Sequence, residues 1–288
     1  MILEEPMKKL PSFTLAMLLA MAAPSHASTL LLDFGPTTIT PGSETVSPGH
    51  AAAAVPLADT TWNSRTSGAA TSSLNYGDGS TATGVSLIMG QESAAGSGTI
   101  TLDGTVTGSL AGSGGGINTK PYLIGAGRIY GQNSPTSIST PGRDALFGAA
   151  GSAVGLRVDG LAAGTYEIHT MARNTNSNAD LVPMNIYASA GASSGSFTFS
   201  ALTAAAQENT GYTTAAYTNQ YSVFTEGQNY VVSTVTLADG ESLYLAVDGA
   251  SATETRGFLN MVQIVAIPEP SVALLGALGL VALFRRRL

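Results

Sequence analysis

In Thr165–Arg173 (TYEIHTMAR), Tyr166, Ile168 and Thr170 fall on one side of an extended chain, and Glu167, His169 and Met171 fall on the other. Alternation of period two predicts a strand, here with one wetter face. A second apolar run, Val154–Val158, precedes it across Asp159-Gly160-Leu-Ala-Ala-Gly164, whose Asp-Gly and Gly punctuate a strand connection. The same reading predicts strands at Thr29–Phe34 (closed by Gly35-Pro36), Gly84–Met89, Thr99–Val106, Met184–Ala188 and Ser196–Ser200. Three more are predicted at Tyr230–Leu237, Ser242–Val247 and Gly257–Ile267, with turns at Asp239-Gly240 and Asp248-Gly249. Thr37–Asp78, rich in Thr, Ser, Ala, Pro and Gly and holding Trp62, predicts an extended loop over a sheet, punctuated by short strands. Gly108–Gly116 predicts a flexible surface loop. No fixed-period repeat occurs. Short strands separated by turn signals predict an all-β fold, an antiparallel, jelly roll-like β-sandwich.

The two ends break this pattern. Lys8-Lys9, the apolar run Phe13–Ala23 and the small-residue site Ser25-His26-Ala27 follow the order of a secretory signal peptide. Cleavage is expected between Ala27 and Ser28. Glu4 and Glu5 have the wrong sign for such a start, and Met7 begins a better-formed signal. At the other end stand Pro268-Glu269-Pro270, then 14 uncharged residues from Ser271 to Phe284, then Arg285-Arg286-Arg287. Backbone in lipid must satisfy its own hydrogen bonds, so the apolar run is expected to be a short transmembrane helix. The arginines are expected to form a cytoplasmic stop. The predicted organisation is a signal peptide at 1–27, a β-sandwich ectodomain at 28–267 and a sorting tail at 268–288.

This order of Pro-Glu-Pro, apolar run and arginine cluster resembles the PEP-CTERM sorting signal of exported bacterial proteins. The resemblance implies release from the membrane by an exosortase that recognises Pro268, Glu269 and Pro270, after signal peptidase has acted. It implies a protein anchored transiently in the inner membrane, then placed at the cell surface or outside, in association with exopolysaccharide and biofilm. Within the ectodomain, GLAAGTYEIHTMARN, DGESLYLAVDG and RGFLNMVQIV resemble jelly-roll modules of the galactose-binding-like and carbohydrate-binding type, over roughly Val154–Val265.

Composition narrows the partners. Of 19 acidic residues, only Glu4, Glu5 and Glu269 lie outside 28–267; of 12 basic ones, Lys8, Lys9 and the three terminal arginines do. That segment therefore holds 16 acids against 7 bases, net −9, with Lys120 its one lysine. Nucleic acid, whose binding needs phosphates neutralised by Lys and Arg, is not an expected partner. There are no cysteines, which removes disulfides, thiolate catalysis and cysteine-ligated zinc.

Candidate chemistry is sparse. Gly191-Ala-Ser193-Ser-Gly195 fits the G-x-S-x-G spacing, but that motif needs a helix behind its serine and here Phe197-Thr-Phe199 reads as strand; a hairpin turn is expected. His50 and His169 are far apart and expected to be solvated. Asp78, Asp103, Asp159, Asp239 and Asp248 each precede a glycine, where aspartate supports turns by bonding its own backbone. No cofactor is expected; a structural calcium is conceivable in such a jelly roll, and no D-x-D-x-D spacing assigns one. Tyr212, Tyr217, Tyr221 and Tyr230 offer flat faces with polar tips, of which the first three are candidate sugar contacts. The sequence is read first as a non-enzymatic structural or adhesive protein of the exopolysaccharide matrix, second as a carbohydrate-binding module with a defined sugar site, and third as a polysaccharide hydrolase.

Overall fold

Thr29–Phe34 (β1) is buried at every position, so it lies in a sheet covered on both faces. This is seen in a computed structural model of the chain, which describes residues 28–36, 39, 44–45, 47–51, 57–110, 141–142, 144–174, 183–209, 224–251 and 255–268. The other strands are β2 Trp62–Arg65, β3 Ser86–Glu92, β4 Thr99–Thr101, β5 Gly108–Leu110, β6 Ala145–Phe147, β7 Val154–Asp159 and β8 Gly164–Met171. They continue with β9 Met184–Ala192, β10 Ser196–Thr198, β11 Ala205–Gln207, β12 Val231–Leu237, β13 Glu241–Gly249, β14 Phe258–Leu259 and β15 Met261–Ile267. One helical turn, α1, spans Pro48–Ala51.

The fold is an all-β antiparallel sandwich. One sheet runs β12-β8-β15-β1-β2, a second runs β10-β4-β3-β7-β13-β9-β11, and a third, small one runs β14-β6-β5. Strand pairs are antiparallel except β1 with β2. Alternate residues of the two large sheets meet in the main core, among them Leu30, Leu32, Phe34, Ile168, Val262 and Ile264 against Leu87, Met89, Leu156, Leu245 and Val247. Each such side chain contributes roughly 1.5–3 kcal/mol by leaving water.

The outer faces are also covered, which corrects the wetter-face expectation for β8. Glu167 stays partly exposed, but His169 and Met171 on the same face are 6% and 1% exposed. Residues distant in sequence lie on them. Gly49 of α1 donates its N–H to Gln263 Oε1 at 2.8 Å, and Gly142 donates to Asp33 Oδ1 at 2.8 Å. Gly142 sits at φ +74°, and a Cβ there would lie 2.9 Å from Met171 Sδ, so glycine alone lets the chain press this close.

The second sheet covers its outer face with its own edge. β4 folds back from β3 and pairs with β10, and together they set Ile100, Phe197 and Phe199 on Tyr244 and Ala246 as a second core. Ser193–Gly195 is therefore a crossing and not the expected hairpin. Ala192 pairs with Glu241, whereas Ser196 pairs with Thr101 at the far edge of the same sheet. The Tyr244 hydroxyl accepts from Ser194 N at 2.7 Å and donates to Ala192 O at 2.6 Å, and Arg157 donates to Ser194 O. Two further expectations change: Gly108–Leu110 is strand β5, and Asp248-Gly249 closes β13 with no turn. Trp62 lies on β2, one of the short strands expected within Thr37–Asp78.

Ser28–Ile267 forms one compact unit whose two ends leave side by side. Thr29 pairs with Val265, and Ala266 N donates to Ser28 O at 3.2 Å. At the opposite end Asp33, Met261 and Met171 close the first sheet, and Gly249, Met184 and Gln207 close the second. The Gln207 carboxamide joins the two sheets there, accepting from Ala172 N at 3.0 Å and donating to Ala172 O at 2.9 Å.

Candidate functional site

The apolar strand SLIMGQE ends in two polar residues, and these organise the loop end of the second sheet. Gln91 Oε1 accepts from Thr107 N (2.9 Å), Thr107 Oγ1 (2.8 Å) and Ala149 N (3.2 Å). Glu92, only 2% exposed, accepts from Gly98 N at 2.5 Å through Oε1 and from Ala153 N at 2.8 Å through Oε2. Ser97 Oγ adds a contact to Oε1 at 3.3 Å. These bonds draw the 94–98, 105–107 and 149–153 segments into a ring. Inside it lies an open cavity of about 300 Å³, lined by Ser93, Thr101, Asp103, Thr105 and Ser152 together with alanines of the 94–95 and 149–150 segments.

Asp248 stands on the same outer face. Continuing the ladders Gln91–Val154–Val247 by one residue puts Glu92, Ala153 and Asp248 in one row. Burial, then the charge of Glu92, pushes the Asp248 carboxyl up to about 6, against a bond from Gly249 N that favours its anion. Burial and the same Asp248 also raise the Tyr187 phenol. Two acids on one face evoke hydrolytic pairs, but in such a pair both carboxyl groups must reach the sugar. Glu92 is sealed by main-chain N–H groups on both oxygens.

Asp248 carries a stability consequence. Its folded value lies above the ordinary carboxyl value of 3.8, so ionisation disfavours the native state as pH rises from about 4 through 6. Asn at 248 keeps an acceptor for Gly249 N and removes the charge. Asp248→Asn is expected to stabilise by about 1 kcal/mol at pH 7.5 once screening of this half-exposed group is discounted, raising Tm by roughly 2–4 °C. At pH 4 the two proteins should melt together. An unchanging difference between pH 4 and 7.5 would contradict the assignment.

The histidines are buried, not solvated, which corrects the sequence reading. His50 is bonded at both ring nitrogens, to Ser47 Oγ and to the carbonyl of Asp59 (2.5 Å), and burial lowers its pKa despite the raising effect of Asp59. Ser47 also accepts from Gln263 Nε2 at 2.8 Å. A serine bonded to a histidine is the start of a nucleophilic arrangement, but the third partner is a carbonyl and Ser47 is 0% exposed. The group clips α1 to β15. His169 stacks on Tyr230 at 6.1 Å, and burial lowers its pKa against the charges of Glu167 and Glu226.

The aspartates divide. Asp78 Oδ1 accepts from Ser80 N and Asp103 Oδ1 from Thr105 N, both at 2.8 Å, as turn aspartates do. Asp159 instead binds Arg157 Nη2 at 2.8 Å and Ser242 Oγ at 2.6 Å; burial alone would raise its pKa, but these partners hold it low. Ser193 belongs to this group and has no helix behind it. Among the described residues no three His, Asp or Glu side chains converge on a metal position, so calcium stays unassigned.

Ser28 begins the described chain and is exposed; Pro268 ends it and is exposed. Ala27, Glu269, Pro270, Arg285, Arg286, Arg287, Tyr212, Tyr217 and Tyr221 lie outside the described residues. Tyr230 is 6% exposed and packs, so its face is not offered to a ligand. No helix among the described residues is long and apolar enough to cross a membrane, and 271–288 falls outside them. Glu92, Gln91 and Asp248 went unmarked as a group in the sequence; the one local signal was an acid closing an otherwise apolar strand.

No protein-family model and no curated protein matches the chain. Among solved structures, a family GH115 4-O-methyl-α-glucuronidase with specificity for decorated arabinogalactans aligns with 43% of this chain, at 14% identity and a TM-score of 0.28. The alignment covers 14% of that enzyme, and a likeness this low carries no argument about activity.

Proposed function

We propose that the chain is an exported, non-enzymatic surface or matrix protein, sorted by its C-terminal tail and acting as a structural or adhesive component of exopolysaccharide. One observation carries the reading: directly after Ile267, where β15 ends, stand Pro268-Glu269-Pro270, 14 uncharged residues and three arginines. At about 1.5 Å rise per residue those 14 residues cover about 21 Å as a helix, against a hydrocarbon core of roughly 30 Å. Such a segment suits transient residence, and Gly276 and Gly279 suit close packing on a protease helix. The two prolines lack N–H donors and hold Glu269 extended for a protease cleft. Exosortase and signal peptidase are its processing partners in this reading. The commitment of Glu92, His50 and Ser47 to main-chain and side-chain bonds supports a non-enzymatic role.

The test is replacement of Pro268-Glu269-Pro270 by three alanines in a host with an exosortase. The full-length variant is expected to stay in the membrane fraction while the parent is shortened and released. Release of the variant at the parent's rate would reduce the tripeptide to a linker and overturn the sorting assignment.

A second reading, a module with a defined sugar site, is favoured by the hydroxyl-walled cavity beside Glu92. In that reading Tyr212, Tyr217 and Tyr221, which lie outside the described residues, stay candidate sugar contacts on their sequence alone. A glycan array with the released protein separates the two: one strong sugar class supports a site, and weak binding across many supports the matrix role.

A further inference from the structure

Sheet edges expose unpaired backbone groups, and proteins blunt them with short strands, charge, proline or bulges. Most edges here follow that rule. β10, β11 and β5 have three residues each, β14 has two, and β2 has four and ends in Arg65. β12 departs from it. It has seven residues, VVSTVTL, with no charge and no proline, and it spans about 23 Å at roughly 3.3 Å per residue. All seven residues pair with β8 in unbroken register, so no bulge twists the edge away. Among the described residues no main-chain bond reaches β12 from its outer side. Thr234 and Thr236 are exposed, and Ser233 and Val232 are partly so.

We propose that β12 is a self-association edge, pairing antiparallel with β12 of a second copy about a two-fold axis at Thr234. The two-fold register fixes the pairs and their shared faces, and two features select this partner. In that register Thr234 opposes Thr234, Val232 opposes Thr236, Ser233 opposes Val235 and Val231 opposes Leu237. Every pair then joins side chains of the same face: Val231, Val235 and Leu237 are core-facing, whereas Thr234 and Thr236 are exposed. Threonine and β-branched pairs also add favourable contacts across strands. Finally, no charge lies on the strand itself, although its segment of the chain is strongly acidic, so a neutral strand like itself meets no like charge along it. Two five-stranded sheets would join into one of ten. A C2 contact of this kind is isologous and closed, so it yields dimers and not fibres.

Acids flank the strand, Glu226 before it and Asp239 and Glu241 after it, and the two-fold register brings one copy's Glu226 toward the other's Asp239. Association should therefore strengthen as salt screens these charges, the reverse of a contact built on ion pairs. This inference stands apart from the sorting assignment, since it concerns only the folded unit.

The absence of cysteine permits a clean test in the full-length chain in detergent. Opposed residues of an antiparallel pair have Cβ atoms about 4.5–5.5 Å apart, within small adjustment of disulfide geometry. Under mild oxidation Thr234→Cys is expected to give a covalent dimer in high yield, at least ten-fold above Thr236→Cys. Residue 236 is four positions from its own symmetry mate, about 13 Å along the strand. Thr198→Cys, on the exposed face of β10, reports random collision and should match Thr236→Cys. By sedimentation the parent should be dimeric in 0.5 M salt and Thr234→Lys monomeric, with unchanged circular dichroism. Equal cross-linking at 234, 236 and 198, or a parent that sediments as a monomer in 0.5 M salt, would overturn the proposal.

Discussion

Glu92→Ala is expected to cost about 3–5 kcal/mol and to release the loop end of the second sheet. The carboxylate accepts from Gly98 N at 2.5 Å and Ala153 N at 2.8 Å in a site only 2% exposed. Bonds from N–H to an ionised acceptor contribute roughly 1.5–3 kcal/mol each, and alanine leaves both donors buried without partners. Glu92→Gln should cost less, about 2 kcal/mol. It keeps one carbonyl acceptor, but its NH2 then faces the other main-chain N–H. Hydrogen exchange can check the order: the amides of Gly98 and Ala153 should lose protection first, while those of β8 and β15 keep theirs. A variant with parental Tm and parental exchange at both amides would show that water replaces the carboxylate at little cost.

This residue marks where sequence pattern stops being informative. The strands were legible because their signals are local. TYEIHTMAR alternates, and Asp159-Gly160 and Asp239-Gly240 stand at chain reversals where φ is +78° and +76° at the glycines. Pairing is not local: β15 bonds to β1 and β8, 90 or more residues away, and no short-range pattern specifies that choice. The greater loss was at the polar positions. His169, Gln263 and Asp33 sit where alternation predicts solvent, yet each is covered by a segment distant in the chain. Gln263 meets Gly49, 214 positions earlier, and Asp33 meets Gly142, 109 positions later. A strand polar residue reads as exposed unless its partner is known, because the physics it obeys is satisfaction and not exposure. Asp248-Gly249 failed for a related reason. Gly257 lies so close that a Cβ there would stand 2.0 Å from Val247 O, so neighbouring chain holds this Asp-Gly pair in a strand. The tail, by contrast, is read from residue order alone, and nothing in the sandwich bears on it.

Gly90→Ala is expected to be the most damaging single methyl in the described fold. An ideal Cβ at 90 would lie 1.8 Å from Thr101 O, 2.7 Å from Thr101 C and 2.9 Å from Leu102 Cα. All three are backbone atoms, so no side chain can rotate away, and β4 must lift from β3. Overpacking ordinarily costs about 1–3 kcal/mol, and clashes with backbone lie at the upper end or beyond. Here the displacement spreads further. β4 carries Ile100, and through β10 it holds Phe197 at 5.1 Å from the Tyr244 ring and supports Phe199 at 4.9 Å from Tyr187. Lifting it opens the second core to water while the main core between the sheets stays closed. The expected loss is about 3–5 kcal/mol, or roughly 6–20 °C in Tm, with the near-ultraviolet circular dichroism of the tyrosines falling before the far-ultraviolet strand signal. Gly84→Ala separates sterics from backbone conformation. Gly84 has φ +81° and no atom within 4 Å of its Cβ position, so alanine there meets only the left-handed penalty of about 1–2 kcal/mol. If the two variants melt within a degree of each other, the close approach of Thr101 to Gly90 is not what holds β4 down, and the second core would have to be stabilised from the β10 side alone.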